Sequence, residues 1–106
     1  MLANIRKVLK KLKKELLHIY GESVDSIILY GSRARGDARD DSDIDILVVL
    51  KKDFNYSEML RLSSKLIASL SLENDVVISR AFVTKAQYDK LQIPFLMNVR
   101  HEGVPV

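Results

Sequence analysis

The sequence predicts an α/β fold in which a small mixed β-sheet has helices packed on one face. In two long segments, 2–20 and 55–74, apolar residues recur every three or four positions, as they do along the buried face of a helix. Three shorter segments, 24–30, 42–50 and 75–83, are rich in β-branched and apolar residues, as strands are. Helices that alternate with strands in this way are typical of a sheet that is covered by helices.

The ends of the remaining elements carry their own signals. Asn55 has a glutamate three residues later, which is the capping-box pattern that begins a helix. Thr84 is expected to cap a short helix, and Pro94 to stand in the first turn of a last helix that ends at Gly103. Residues 104–106 could add a short edge strand, where proline is tolerated.

The composition sets broad limits on the protein. Its 106 residues suffice for a single domain, 1–106, with one core, and a size argument leaves a homo-oligomer open. There is no run of about twenty apolar residues, so no membrane span is expected. Cysteine is absent, which excludes disulfides and thiolate metal ligands and favours a cytoplasmic location.

Positive charge is concentrated near the start of the chain, although the formal net charge is only +3. Six basic residues fall within the first predicted helix: Arg6, Lys7, Lys10, Lys11, Lys13 and Lys14. They occupy the side opposite its apolar stripe, and no aromatic residues alternate with them to suggest base stacking. The pattern favours a solvated face over a nucleic-acid contact.

Two carboxylates open the second predicted strand. Residues i and i+2 of a strand share a face, so Asp43 and Asp45 are expected side by side. Adjacent anions repel each other unless a cation lies between them, and carboxylate oxygens suit Mg²⁺ or Mn²⁺. Asp75 opens the third predicted strand and could add a third carboxylate if the two strands are neighbours. The alternative is that Asp75 is a turn residue and that Asp40, Asp41 and Asp43 are loop acids.

A Gly-Ser pair ends the first predicted strand. Glycine lets the backbone turn closely and approach a ligand. If residues 32–36 begin a helical turn, the free N–H groups and the hydroxyl of Ser32 could bind phosphate oxygens. The Gly31-Ser32 pair alone is a weak signal, because Gly-Ser is a common turn.

These features combine into a recognisable motif. G31-S32, ten further residues and D43-I44-D45 match the signature of the nucleotidyltransferase superfamily that includes DNA polymerase beta. The stretch G-S-R-A-R-G-D-A-R-D-D-S-D-I-D-I-L-V resembles its small prokaryotic branch, the minimal nucleotidyltransferases (MNT proteins), which are often encoded beside a HEPN-domain partner. The resemblance covers nearly the whole chain.

The resemblance implies a role for each residue of the motif. Gly31 and Ser32 would hold a nucleoside triphosphate, expected to be ATP. Asp43 and Asp45 would bind two Mg²⁺ ions, with Mn²⁺ as the alternative metal. Asp75 would complete the metal site and act as general base toward the acceptor hydroxyl.

The resemblance also implies a partner. AMP would pass to a hydroxyl of a HEPN-domain toxin, with this protein as the antitoxin. Arg35 is open to two interpretations, a phosphate contact or a structural partner of nearby acids, and the second is favoured. Two other functions stay open: an antitoxin that acts by binding alone, and a small-molecule nucleotidyltransferase, which no acceptor domain supports.

Overall fold

A four-stranded mixed sheet carries the helices in the computed structural model, which describes the backbone of residues 2–106 and the side chains of residues 5–106. The elements are helix α1 (Leu2–Tyr20), strand β1 (Val24–Tyr30), helix α2 (Ser32–Arg35), strand β2 (Ile44–Leu50), helix α3 (Tyr56–Asn74), strand β3 (Ile78–Thr84), helix α4 (Lys85–Lys90), helix α5 (Pro94–Glu102) and strand β4 (Val104–Pro105). None of the helices within this part of the chain combines the length and the apolar character needed to cross a bilayer.

Strand β2 lies at the centre of the sheet, whose strand order is β3-β2-β1-β4. It pairs antiparallel with β1 and parallel with β3, while β4 pairs antiparallel with β1. Six of its seven residues are buried, which explains why it reads as a nearly continuous apolar run. The predicted mixed sheet and α/β class are therefore confirmed.

Alternate residues of β2 face two different hydrophobic clusters. Ile44, Ile46 and Val48 belong to the larger cluster, which contains the apolar side chains of α1 and α3; we call this side of the sheet the first face. The next residues in alternation, Leu47 and Val49, point to the second face.

The second face is covered as well, by the C-terminal helix. Leu96 and Val99 of α5 pack there against Ile28, Leu47 and Val49. The prediction that helices pack on one face holds for the two long helices, and the structure corrects it for α5. The physical reason is that β2 is apolar on both sides, so both need a cover.

The element ends agree with their sequence signals at most positions. The side chain of Asn55 accepts a hydrogen bond of 2.9 Å from the backbone N–H of Glu58, and Thr84 and Gln87 form a reciprocal capping box. Strand β3 begins at Ile78, three residues later than predicted. Helix α3 runs on to Asn74, and Asp75 ends it in the left-handed conformation (φ 49°) with its N–H bonded to the carbonyl of Ser71.

Candidate active site

Asp43 and Asp45 lie at the start of β2, on the second face of the sheet. The alternation that sends Ile44 and Ile46 to the first face places both carboxylates on the same side as Leu47. Asp43 is exposed and Asp45 is partly buried. Burial, and then the charge of Asp43, raise the pKa of the Asp45 carboxyl, while Arg35 offsets part of the rise. The predicted juxtaposition of the two acids is thus present.

Gly31, directly after β1, lies against Asp45 of this pair. A Cβ atom at Gly31 would lie 2.5 Å from Oδ2 of Asp45, so a larger residue would displace the carboxylate. Its backbone angles (φ 77°, ψ −159°) fall in a region that is essentially restricted to glycine. The sequence suggested that glycine lets the backbone come close to a ligand. In the structure, the group that the backbone approaches is the carboxylate of Asp45.

Helix α2 begins directly after this contact, so the helical turn on which the phosphate-binding interpretation depends is present. The N–H groups of Ala34 and Arg35 both donate to the carbonyl of Gly31 at 3.1 Å. The N–H groups of Ser32 and Arg33 precede these first helical bonds and are the donors that such a turn offers to an anion. Ser32 itself is partly buried at the start of the helix.

Glu102, which the sequence did not single out, binds the same turn from the far end of the chain. The Gly31 N–H donates to Oε1 of Glu102 at 3.3 Å. Nη1 of Arg35 donates to Oε1 at 3.3 Å and to Oε2 at 3.2 Å. Nε of Arg35 also donates to Asp37 at 3.2 Å. These contacts favour the interpretation of Arg35 as a structural partner of nearby acids.

The pairing of β4 with β1 explains why Glu102 reaches Gly31. Ile28 faces Pro105 and Leu29 faces Val104, so the antiparallel register, continued by two residues, puts Gly31 opposite Glu102. Gly103 allows the chain to pack this closely against β1, because a Cβ there would lie 2.6 Å from a methyl group of Ile28. One signal was present in the sequence: an acid in the last turn of a helix opposes the helix dipole and needs a partner.

Asp75 is not brought together with the other two predicted acids. It is exposed, and with Asp40, Asp41 and Arg33 it lines a cavity of about 390 Å³ that opens beside α1. Among the side chains of residues 5–106, no group of three or more His, Cys, Asp or Glu residues is arranged to hold a metal ion. In the structure Asp75 is therefore an exposed turn residue on the same side as Asp40 and Asp41.

The two acids that remain, Asp43 and Asp45, are suited to hold one divalent cation. Asp43 and Asp45 supply hard oxygen ligands from one face, and ionised Asp45 is disfavoured in its present surroundings. A cation between the two carboxylates would relieve both their mutual repulsion and the cost of burial. Magnesium in particular is commonly held by one or two carboxylates that act together with substrate phosphates.

Comparison with known families identifies the motif. Residues 5–93 match the family model described as polymerase beta, nucleotidyltransferase. A Methanocaldococcus jannaschii protein described as a candidate protein adenylyltransferase is 31% identical over 102 residues, which cover 96% of this chain and 98% of that protein. The protein adenylyltransferase MntA of Thermococcus cleftensis is 38% identical over 77 residues, which cover 73% and 76% of the two chains.

Solved structures share the fold. A candidate nucleotidyltransferase from Sulfolobus solfataricus superimposes with a TM-score of 0.67 at 25% identity, covering 96% of this chain and 80% of that one. A toxin–antitoxin complex with AMP-PNP superimposes with a TM-score of 0.57 at 23% identity, covering 86% and 66%. The second likeness concerns the fold alone.

Proposed function

The chain belongs to the polymerase beta nucleotidyltransferase family and is a nucleotidyltransferase, and from this premise we propose that it transfers AMP from ATP to a hydroxyl of a partner protein. The observation that carries the proposal is the contact between Gly31 and Asp45, with the virtual Cβ of Gly31 only 2.5 Å from the Asp45 carboxylate. This contact joins the two halves that nucleotidyl transfer needs, a turn that offers N–H donors to phosphates and a pair of acids for a metal ion.

Each residue of the motif has a task in this reaction. Ser32 and the first turn of α2 bind the triphosphate through N–H and hydroxyl donors. Asp43 and Asp45 hold Mg²⁺, or Mn²⁺ in its place. The bound ion would supply electrostatic stabilisation of the phosphate charge that develops during transfer. Gly31 lets the turn lie close to Asp45, so that a cation held by the acids would face the bound triphosphate, and catalysis would rely on positioning and charge.

Support for AMP as the transferred group comes from the relatives. Two relatives, at 31% and 38% identity, carry names that describe protein adenylyltransferases. An adenylyltransferase uses ATP, and the toxin–antitoxin complex of the same fold was solved with the ATP analogue AMP-PNP. Kinship thus supports ATP as the nucleotide, while the contact of Gly31 with Asp45 supports the proposed phosphate and metal positions.

The partner we propose is a HEPN-domain toxin that is modified on a tyrosine hydroxyl, with this protein as its antitoxin. Toxin–antitoxin complexes of the same fold and a relative named MntA support this assignment. The reaction would join the tyrosine oxygen to the α-phosphorus of ATP and release pyrophosphate, so the proton of the hydroxyl must be removed. We place the reaction in the cytoplasm, where ATP and the toxin would meet.

One observation favours a second function. Asp75 does not stand beside Asp43 and Asp45, so the site has two carboxylates where three were expected. An antitoxin that neutralises its partner by binding alone would tolerate such a site. In that case the partner would remain unmodified and the two acids would be dispensable for neutralisation.

Label transfer separates the two functions. The protein is mixed with ATP labelled at the α-phosphate, Mg²⁺ and the product of the neighbouring gene. We expect the label on the partner, no label from ATP labelled at the γ-phosphate, and no transfer by Asp43→Asn. Asp41→Asn is the matched control, because it removes the same charge from an exposed acid of the adjoining loop. Neutralisation that survives Asp43→Asn without any label transfer would establish the binding antitoxin instead.

A further inference from the structure

Strand β3 presents a hydroxyl, and not a carboxylate, beside Asp45. The parallel register pairs Asp45 with Ser79, and paired residues of neighbouring strands point to the same face of a sheet. Ser79 therefore faces the site from the side of β3 and is partly buried. On the other side of Asp45, the paired residue of β1 is Tyr30.

The positions before and after Ser79 on the same face are apolar. The hydrogen bond of 2.9 Å from the Ile44 N–H to the carbonyl of Val77 sets Val77 beside Asp43. Ala81 pairs with Leu47 and packs against the second-face cluster. Along the site, Val77 just before β3 is followed on the same face by Ser79 and Ala81. Of these three side chains, only that of serine has an oxygen that could act as a ligand.

Neither Asp75 nor Glu102 adds a third carboxylate to the pair in the described part of the chain. Asp75 lies with Asp40 and Asp41 around the cavity beside α1. Glu102 is bound by Arg35 and by the Gly31 N–H. Neither forms a group of three acids with Asp43 and Asp45 among the side chains that the structure describes.

We propose that Ser79, and not Asp75, is the third residue of the metal site, and that this substitution of a hydroxyl for a carboxylate makes metal binding depend on the nucleotide. The inference rests on the proposed function, because it assumes that Asp43 and Asp45 hold a divalent ion. With two carboxylates, the free protein neutralises the charge of one ion. A second ion, and tight binding of the first, require the phosphate oxygens of the triphosphate.

The consequence is that tight binding of the metal ion depends on binding of the nucleoside triphosphate. Metal affinity falls as the number of charged ligands falls. Mg²⁺ or Mn²⁺ alone should bind weakly and with a stoichiometry of one, and addition of a nucleoside triphosphate should tighten metal binding. The hydroxyl of Ser79 would face the ion directly or through one of its water ligands.

Binding of Mn²⁺ to the free protein, followed by electron paramagnetic resonance and by calorimetry, tests the inference without an activity measurement. We expect one weak site in the wild type, unchanged affinity in Asp75→Asn, and affinity about 10-fold tighter or more in Ser79→Asp, by analogy with the effect of ligand-shell changes. Asp75→Asn and Asp45→Asn remove the same charge and form the matched pair.

The outcomes are distinguishable. Loss of Mn²⁺ binding in Asp75→Asn, or two ions bound by the free wild type, would overturn the inference while leaving the proposed function intact. Mn²⁺ binding that survives Asp45→Asn would instead overturn the proposed metal site itself. If Ser79→Asp does not fold, Ser79→Ala removes the hydroxyl and should weaken Mn²⁺ binding further. An unchanged affinity in folded Ser79→Ala counts against the role of this position.

Discussion

Replacement of Gly31 by alanine perturbs the centre of the site by one carbon atom. The backbone angles of Gly31 (φ 77°, ψ −159°) cost a non-glycine residue about 1–3 kcal/mol. The new Cβ would lie 2.5 Å from Oδ2 of Asp45, so this side chain must leave its position. An off-rotamer carboxylate adds about 0.5–1.5 kcal/mol. We expect Gly31→Ala to lower the free energy of unfolding by about 2–4 kcal/mol.

Gly36→Ala provides the matched control within the same loop. Gly36 also has a positive φ (84°), but a Cβ there would meet no atom within 4 Å. The left-handed backbone costs alanine about 1–2 kcal/mol, with no displaced neighbour. Because the two glycines occupy different positive-φ regions (ψ −159° and 10°), the stability difference does not isolate the contact alone. The loss of Mn²⁺ affinity in Gly31→Ala but not in Gly36→Ala is what reports the contact with Asp45.

Urea unfolding followed by circular dichroism gives the two free energies, and Mn²⁺ and ATP titrations of the folded variants give the affinities. We expect Gly31→Ala to be the less stable variant and to lose Mn²⁺ binding, whereas Gly36→Ala keeps it. Equal stability losses together with wild-type Mn²⁺ affinity in Gly31→Ala would refute the claim that Gly31 is there to accommodate the Asp45 carboxylate.

Two further predictions concern the electrostatics of the site. Glu102→Gln weakens the ion pair with Arg35, so we expect a lower ATP affinity by titration. Glu58→Gln is the control, because it breaks an exposed ion pair on α3 and should leave ATP affinity unchanged. Equal effects of the two changes would argue against a positioning role for Glu102. The raised pKa of Asp45 means that the fold favours its neutral form. Metal-free protein should therefore gain stability as the pH falls from the raised pKa toward the ordinary carboxyl value, and Mn²⁺ binding should be lost over the same window. Asp45→Asn should remove the stability gain; a wild type whose metal-free stability is flat there would contradict the assignment.

Local signals made most of the fold predictable. The bounds of α1 and β1, the Asn55 and Thr84 caps and the last helix all follow from short-range patterns in the sequence, and the structure agrees with them. The face shared by Asp43 and Asp45 follows from strand alternation alone. The cover on the second face was missed although the sequence carried its signal: Leu47 and Val49 make β2 apolar on both sides, as in a strand that is covered on both faces.

The missed parts of the site depend on register, which the sequence does not state. Asp75 was assigned to the site because it appeared to open a strand, but α3 extends to Asn74 and delays β3 to Ile78. Ser79 then occupies the position beside Asp45. Glu102 meets Gly31 across 71 residues of chain, a pairing that no local pattern could reveal.

The transfer of AMP can be followed through the intact mass of the partner protein after incubation with this protein, ATP and Mg²⁺. We expect the partner to gain the mass of one AMP unit on a tyrosine, and the gain to disappear with Asp45→Asn. A partner that gains no mass with either Mg²⁺ or Mn²⁺, or that gains a phosphate instead of AMP, would show that this protein is not a protein adenylyltransferase.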